Sequence, residues 1–240
     1  MPDSLRGKRL ILVGGTGGIG SASTELLASE GANLVIAYRA RADRARSFEK
    51  FGQVIQADIT RAEDRTRLLN EAPELYGVVV FAGNPARAAS AAELEPAMRL
   101  SIETNYLGPI LLAREAAELM KSRGEPGAIV LISTMQAMSL FPGSTAYAGA
   151  KVALLHSARI LAKECRGPAN IRVNVISPGV IEAGMAEASI ASGKYDRYRE
   201  EGVIRRFGAP ADVARAIRFF LEPDNYITGQ ALSVDGGLTL

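Results

Sequence analysis

Sulfur and imidazole chemistry have almost nothing to work with in this chain. Its 240 residues include one cysteine, Cys165, and one histidine, His156. A single thiol forms no internal disulfide, and one thiol with one imidazole cannot build a zinc cluster, so no metal site is expected. Cys165 lies among charged residues in "AKECRG" and is read as an inert free thiol. His156 falls on the apolar helical stretch "ALLHSARIL" and is expected in the core or at a subunit interface. An excess of one charge is missing too. The 28 Lys and Arg nearly cancel the 26 Asp and Glu to leave +2, too little to argue for a nucleic-acid or membrane partner. No apolar run approaches the roughly 18 residues that a membrane span requires. "MPDSLRGKRLILVGG" enters a strand-like run with no signal peptide before it, so a cytoplasmic protein is expected. No Pro/Gly/Ser-rich linker, repeat or low-complexity block divides the chain, which favours a single domain over 1–240.

What is present is alternation. Short runs rich in Val and Ile occur at 9–13, 33–37, 53–57, 77–83, 128–133, 171–177 and 231–235. They are apolar on consecutive positions, which suits parallel strands buried on both faces. Helical patterns lie between them at 18–30, 97–121, 145–164 and 210–221, the last with Pro210 in its first turn. The pattern predicts an α/β fold: a Rossmann-type doubly wound parallel sheet of about seven strands with helices on both faces.

The first run is followed by "GGTGGIG", residues 14–20. Gly14, Gly18 and Gly20 leave the loop without side chains, and Ile19 opens the next helix. Thr16 and these main-chain N–H groups make a candidate cradle for the pyrophosphate of a dinucleotide, because a helix start offers unpaired N–H groups and a favourable dipole. The second run ends in "IAYRARADRAR", with no carboxylate before Asp43. A carboxylate there would repel a 2′-phosphate, whereas an arginine binds one in a fork, so NADP(H) is expected, with Arg39 as first contact and Arg41 as second. Arg44 and Arg46 are read as a solvated helix face. Asp58 either hydrogen-bonds the adenine or caps the helix that follows it.

A second informative stretch is "STMQAMSLFPGSTAYAGAKVAL", 133–154. Tyr147 and Lys151 are four apart on one helical face. A neighbouring ammonium is expected to lower the tyrosine pKa, making it a usable acid or base.

With "YAGAK", the glycine loop, "ETNYLGP" (103–109), "VNVISPG" (173–179), "RFGAPADVA" (206–214) and "ITGQALSVDGG" (227–237) in this order, the whole chain resembles the short-chain dehydrogenase/reductase family, close in motif to its 3-oxoacyl-acyl-carrier-protein reductases. The resemblance implies that Tyr147 exchanges a proton with the substrate oxygen while Lys151 tunes it and binds the nicotinamide ribose. It implies that Asn105 holds a water relaying protons to Lys151. The family's substrate-binding serine, thirteen positions before the tyrosine, falls on Thr134, with Ser133 as the alternative. Ala82, Gly83, Pro178, Gly179 and Ile181 would complete the cofactor site. Two motifs depart from the family: "VFAG" (80–83) lacks both amides that usually precede Ala-Gly, and Ala183 or Gly184 stands where a threonine is usual. The four-residue Tyr-to-Lys spacing argues against the family's divergent enoyl reductases. Expected, then, is reduction of a ketone or 3-oxoacyl thioester. The alternatives are alcohol oxidation, or an NADP(H) sensor without catalysis. Residues 183–206 should form a lid, with Met135, Met185 and Ile190 against an apolar pocket. Lys194, Arg197 and Arg199 face either an anionic carrier or solvent. The resemblance also implies a homotetramer or dimer paired through the long helices.

Overall fold

The computed structural model describes residues 5–240. Its strands are β1 (Arg9–Val13), β2 (Asn33–Tyr38), β3 (Gly52–Gln56), β4 (Leu75–Val80), β5 (Gly127–Ile132), β6 (Ile171–Pro178) and β7 (Ala231–Val234). Its helices are α1 (Gly18–Ser29), α2 (Ala42–Arg46), α3 (Ala62–Asn70), α4 (Ala91–Ile102), α5 (Gly108–Arg123), α6 (Thr145–Glu164), α7 (Glu187–Ala191), α8 (Asp196–Glu200) and α9 (Pro210–Leu221). The strands form one parallel sheet in the order β3-β2-β1-β4-β5-β6-β7.

Strand β1 shows why the runs are apolar at every position. Leu10 and Leu12 pack on one side with Leu27 of α1 and Val213, Ile217 and Phe220 of α9. Ile11 and Val13 pack on the other with Leu112 and Ala116 of α5 and Leu154 and Leu161 of α6. Strand order reverses between β1 and β4, so the loops leaving these two strands open a crevice at the carboxyl edge of the sheet, where doubly wound folds bind ligands. The later motifs are local braces. Asn174 of β6 donates to the Ile227 carbonyl at 2.9 Å and accepts from the Gln230 N–H at 3.0 Å, which delivers the chain to β7. Buried Arg172 donates to the Phe220 carbonyl at 2.7 Å and to that of Glu222 at 2.9 Å, closing the C-terminal end of α9.

The sequence pattern 97–121 does not form one helix. Between α4 and α5, residues Glu103–Leu107 make a π turn. Pro109 explains the break: its ring clashes with the carbonyl four residues back, that of Asn105, and it has no N–H to donate there. β4 also stops at Val80 rather than continuing through 83, because the following residues turn away to meet Asn105. Among the described residues, no helix is long and apolar enough to cross a membrane.

Candidate active site

A cavity of about 1200 Å³ opens at the carboxyl edge of the sheet. That is more than a drug-sized ligand needs, and it suits a dinucleotide with a small substrate. Its lining includes Gly14, Thr16, Gly18, Ile19, Gly20, Arg39, Asp58, Ala82, Gly83, Thr134, Tyr147, Lys151, Pro178, Gly179 and Ile181. Every residue expected to hold cofactor or substrate is therefore brought to one place except Asn105, which stands directly behind the wall.

The glycine loop is shaped first by its own packing. A Cβ on Gly20 would strike the Gly14 carbonyl oxygen, and one on Gly18 would lie 2.8 Å from both Ala183 Cβ and the Gly184 nitrogen. The Ala183–Gly184 segment therefore rests on the loop, and Gly184, at φ +61°, turns there in a left-handed conformation that a threonine would resist. Gly20→Ala is expected to cost about 1–3 kcal/mol of stability together with nucleotide affinity. Gly149→Ala, in open space in α6, should instead stabilise by about 0.5–1 kcal/mol. Denaturant midpoints of the two variants check both signs.

At the end of β2, exposed Arg39 and Arg41 line the cavity, and so does Arg44. The solvated reading stands for Arg44, which is exposed while also bordering the cavity. It holds as well for Arg46, which pairs with Asp43 at 3.5 Å in solvent. Among the described residues, no carboxylate pairs with Arg39, Arg41 or Arg44. Asp58 does not cap α3, whose N-cap position is Arg61. Its Oδ1 accepts from the Thr60 N–H at 3.0 Å and the Thr60 hydroxyl at 2.8 Å, a turn that fixes the floor of the cavity.

Tyr147 and Lys151 project from the first turns of α6. Tyr147 is half-buried, and Lys151 is 2% exposed. Desolvation pushes the Tyr147 phenol up to about 12, against the opposing pull of the Thr134 hydroxyl, which can donate to the phenolic oxygen. Burial drives Lys151 the other way, down to about 7, and its ammonium donates to the Ile132 carbonyl at 2.8 Å. The expected lowering of Tyr147 by Lys151 is thus not seen in this structure. Burial governs both groups, and the ammonium is turned to the end of β5. Ser133 is also turned away, its hydroxyl donating to the Lys151 carbonyl at 3.2 Å, so Thr134 is the hydroxyl that meets Tyr147.

Asn105 is fully buried and its amide is committed. Nδ2 donates to the Asn84 carbonyl and to Ser101 Oγ, both at 2.9 Å, and Oδ1 accepts from the Asn84 N–H at 2.8 Å. The Ser101 hydroxyl donates in turn to the Ala146 carbonyl at 2.8 Å, beside Tyr147. Asn84 and Ser101 were not singled out from sequence. Asn84 is an amide one position beyond the Ala-Gly pair, and Ser101 lies one helical turn before Asn105. Both were available signals.

The segment 183–206, expected as a lid, carries α7 and α8. Met135 and Met185 line the cavity, whereas Ile190 packs away from it with Val180 and Phe207. Lys194 lines the cavity too, but Arg197 and Arg199 lie over the Tyr198 and Phe207 rings outside it. Cys165 is buried, with its thiol pushed up by desolvation, and His156 is exposed on α6 rather than in the core.

A family model described as Enoyl-(Acyl carrier protein) reductase matches residues 14–239. Carbonyl reductase family member 4 of Danio rerio is 35% identical over 243 aligned positions, covering 96% of this chain and 97% of its own. The 3-oxoacyl-acyl-carrier-protein reductase of Rattus norvegicus is 32% identical over 234 positions, covering 95% and 96%. The solved structure "ElxO with NADP Bound" superposes with a TM-score of 0.85 at 27% identity, covering 97% of this chain and 98% of that one. The chain belongs to the short-chain dehydrogenase/reductase family of oxidoreductases.

Proposed function

We propose that this protein uses NADPH to reduce a ketone carbonyl to a secondary alcohol, with Tyr147 giving the proton to the carbonyl oxygen. The observation that carries the reading is the meeting of Tyr147, Thr134 and the buried Lys151 in one cavity with the glycine loop. NADP(H) fits the residues present. Helix α1 starts with no side-chain cap and no acidic residue in its first turn, which suits an anion. Arg39, flanked by Arg41 and Arg44, is left to receive a 2′-phosphate.

When bound, the reduced nicotinamide supplies hydride to the carbonyl carbon. Thr134 orients the carbonyl oxygen, and Tyr147 holds a proton for it across the physiological range. Burial keeps the phenol protonated, which is the form that gives a proton in the reductive direction. Lys151 in its ammonium form balances the charge left on the phenolic oxygen. Because the Asn105 amide is committed to Asn84 and Ser101, a water relay to Lys151 would use its main-chain carbonyl, to which Pro109 cannot donate. The family model's description names an enoyl reduction, but the four-residue spacing of Tyr147 and Lys151 and the carbonyl and 3-oxoacyl reductases among the relatives favour a carbonyl. Exposed Leu94, Met98 and Ile102 on α4, with Val152 and Ile160 on α6, support pairing of copies into a dimer or homotetramer, with His156 in that contact. We place the protein in the cytoplasm, as a single domain over 1–240 with 183–206 as the lid.

The test follows NADPH absorbance over ketones and 3-oxoacyl thioesters. Turnover of members of the panel is expected; NADPH that binds and is never oxidised contradicts the proposal and favours a sensor. Arg39→Asp is expected to lower kcat/KM for NADPH by about 100-fold while sparing NADH, since a forked charge-assisted contact becomes a repulsion. Steady-state kinetics with both cofactors measure the ratio.

A further inference from the structure

The loop after β4 is held in place from behind. Asn105 grips both main-chain groups of Asn84, and Asn84 Oδ1 accepts from the Ala86 N–H at 2.7 Å. Ala86 sits at φ +49°, a left-handed conformation that alanine keeps only where its surroundings impose it, often beside a binding site. The next residue is Arg87. Its Nη2 donates to the Met185 carbonyl at 3.2 Å and to Ser189 Oγ at 3.3 Å, both in the lid. Its Nε and Nη1 donors have no partner among the described residues. No carboxylate there pairs with it, although Arg99, Arg114 and Arg199 find Glu95, Glu164 and Asp196.

Arg87 lines the substrate half of the cavity with Lys194, Tyr195 and Tyr147. Burial raises the Tyr195 phenol and the charge of Arg87 opposes that rise, which puts Arg87 within electrostatic reach of Tyr195. The carboxylates of the cavity wall are already engaged. Glu187 accepts from the Gly184 N–H at 2.7 Å, and Asp58 holds Thr60. Arg87 is exposed, so an anion can reach its remaining donors from solvent, and its planar fork matches the paired oxygens of a carboxylate.

We propose that Arg87 selects the substrate, its free donors receiving a carboxylate carried by the ketone while Nη2 holds the lid, so that the substrate class is an oxo acid. The inference rests on the carbonyl-reductase reading of the cavity. It sets Arg87 apart from Arg39, Arg41 and Arg44, which serve the nucleotide half.

Two measurements test it. In the first, kcat/KM is compared for short oxo acids, their methyl esters and a 3-oxoacyl thioester, in the native protein and in Arg87→Gln. The acids are expected to exceed their esters by about tenfold or more, and the acid-to-ester ratio to fall toward one in the variant, with partial recovery in Arg87→Lys. Equal rates for acids and esters in the native protein, a best substrate that is the thioester, or an equal fall of both series in Arg87→Gln would overturn the proposal. The last result would leave Arg87 a lid latch only. The second measurement needs no turnover. The NADPH-saturated protein is titrated calorimetrically with a four-carbon 3-hydroxy acid and with its primary amide. Tighter binding of the acid, abolished in Arg87→Gln, supports Arg87 as the anion receptor; equal binding of acid and amide overturns it. If no ketone of any series reacts, the reductase reading fails, and this titration still decides the anion site.

Discussion

Tyr147→Phe is expected to lower kcat for carbonyl reduction by about 10³-fold, within the range that a positioned proton donor contributes. The substitution removes one oxygen. The ring stays, and so do the packing of α6, the Ser101 bond to the Ala146 carbonyl and the Lys151 bond to Ile132. Stability should therefore change by no more than about 1 kcal/mol, the worth of one hydrogen bond. NADPH affinity should hold within a few-fold, because the glycine loop and the arginines at the end of β2 are untouched. The profile of lost turnover, retained fold and retained nucleotide binding separates a proton donor from a packing residue. Stopped-flow kinetics, a melting curve and a nucleotide titration read the three together. Retained turnover would remove Tyr147 from the chemistry.

The second large effect comes from Lys151→Met, and its two parts have opposite signs. Activity should fall by about 10²-fold or more, since the charge that balances the phenolic oxygen is gone. Stability should rise. Lys151 is buried with no carboxylate beside it, and desolvation has drawn its pKa from 10.5 to about 7. A cationic group whose folded pKa lies below its unfolded one binds fewer protons folded than unfolded between the two values. Native stability therefore increases as pH rises from about 7 toward 10.5, and below about 7 the folded state carries the whole cost of the buried charge. A methionine of similar reach removes that cost, on the order of 2 kcal/mol at pH 6 after the lost bond to Ile132 is set against it. The same titration shapes catalysis: reduction needs the ammonium, so kcat/KM should decline as pH rises through about 7. Melting curves of native and variant protein at pH 6 and pH 9 test the first half. The gap should be wide at pH 6 and narrow at pH 9; a native protein more stable at both would contradict it.

The sequence disclosed the sheet and its helices because buried parallel strands and amphipathic helices leave a local pattern. Helix α6 begins at Thr145 and ends at Glu164, as its periodicity indicated, and the glycine loop falls between β1 and α1. What was hidden depends on contacts far apart in the chain. The π turn at Glu103–Leu107 follows from Pro109 acting on Asn105, an effect that helical periodicity does not register. Asn84 and Ser101 matter only because the π turn brings Asn105 between them. Arg44 reads as solvated on a helical wheel and is exposed, yet it also borders the cavity, a proximity that the wheel does not register. The electrostatics of Tyr147 and Lys151 differ from expectation for a related reason. Spacing four apart says that two side chains share a face; burial and the direction of the ammonium decide which effect wins.

The proposed reaction joins NADPH to a ketone in this cavity and leaves an alcohol. It is tested most directly by running the reaction with NADPH deuterated at the transferring position of the nicotinamide and weighing the product alcohol. One deuterium is expected, on the carbinol carbon, made with native protein and not with Tyr147→Phe. Product alcohol without deuterium, or cofactor oxidised with no alcohol formed, would contradict it.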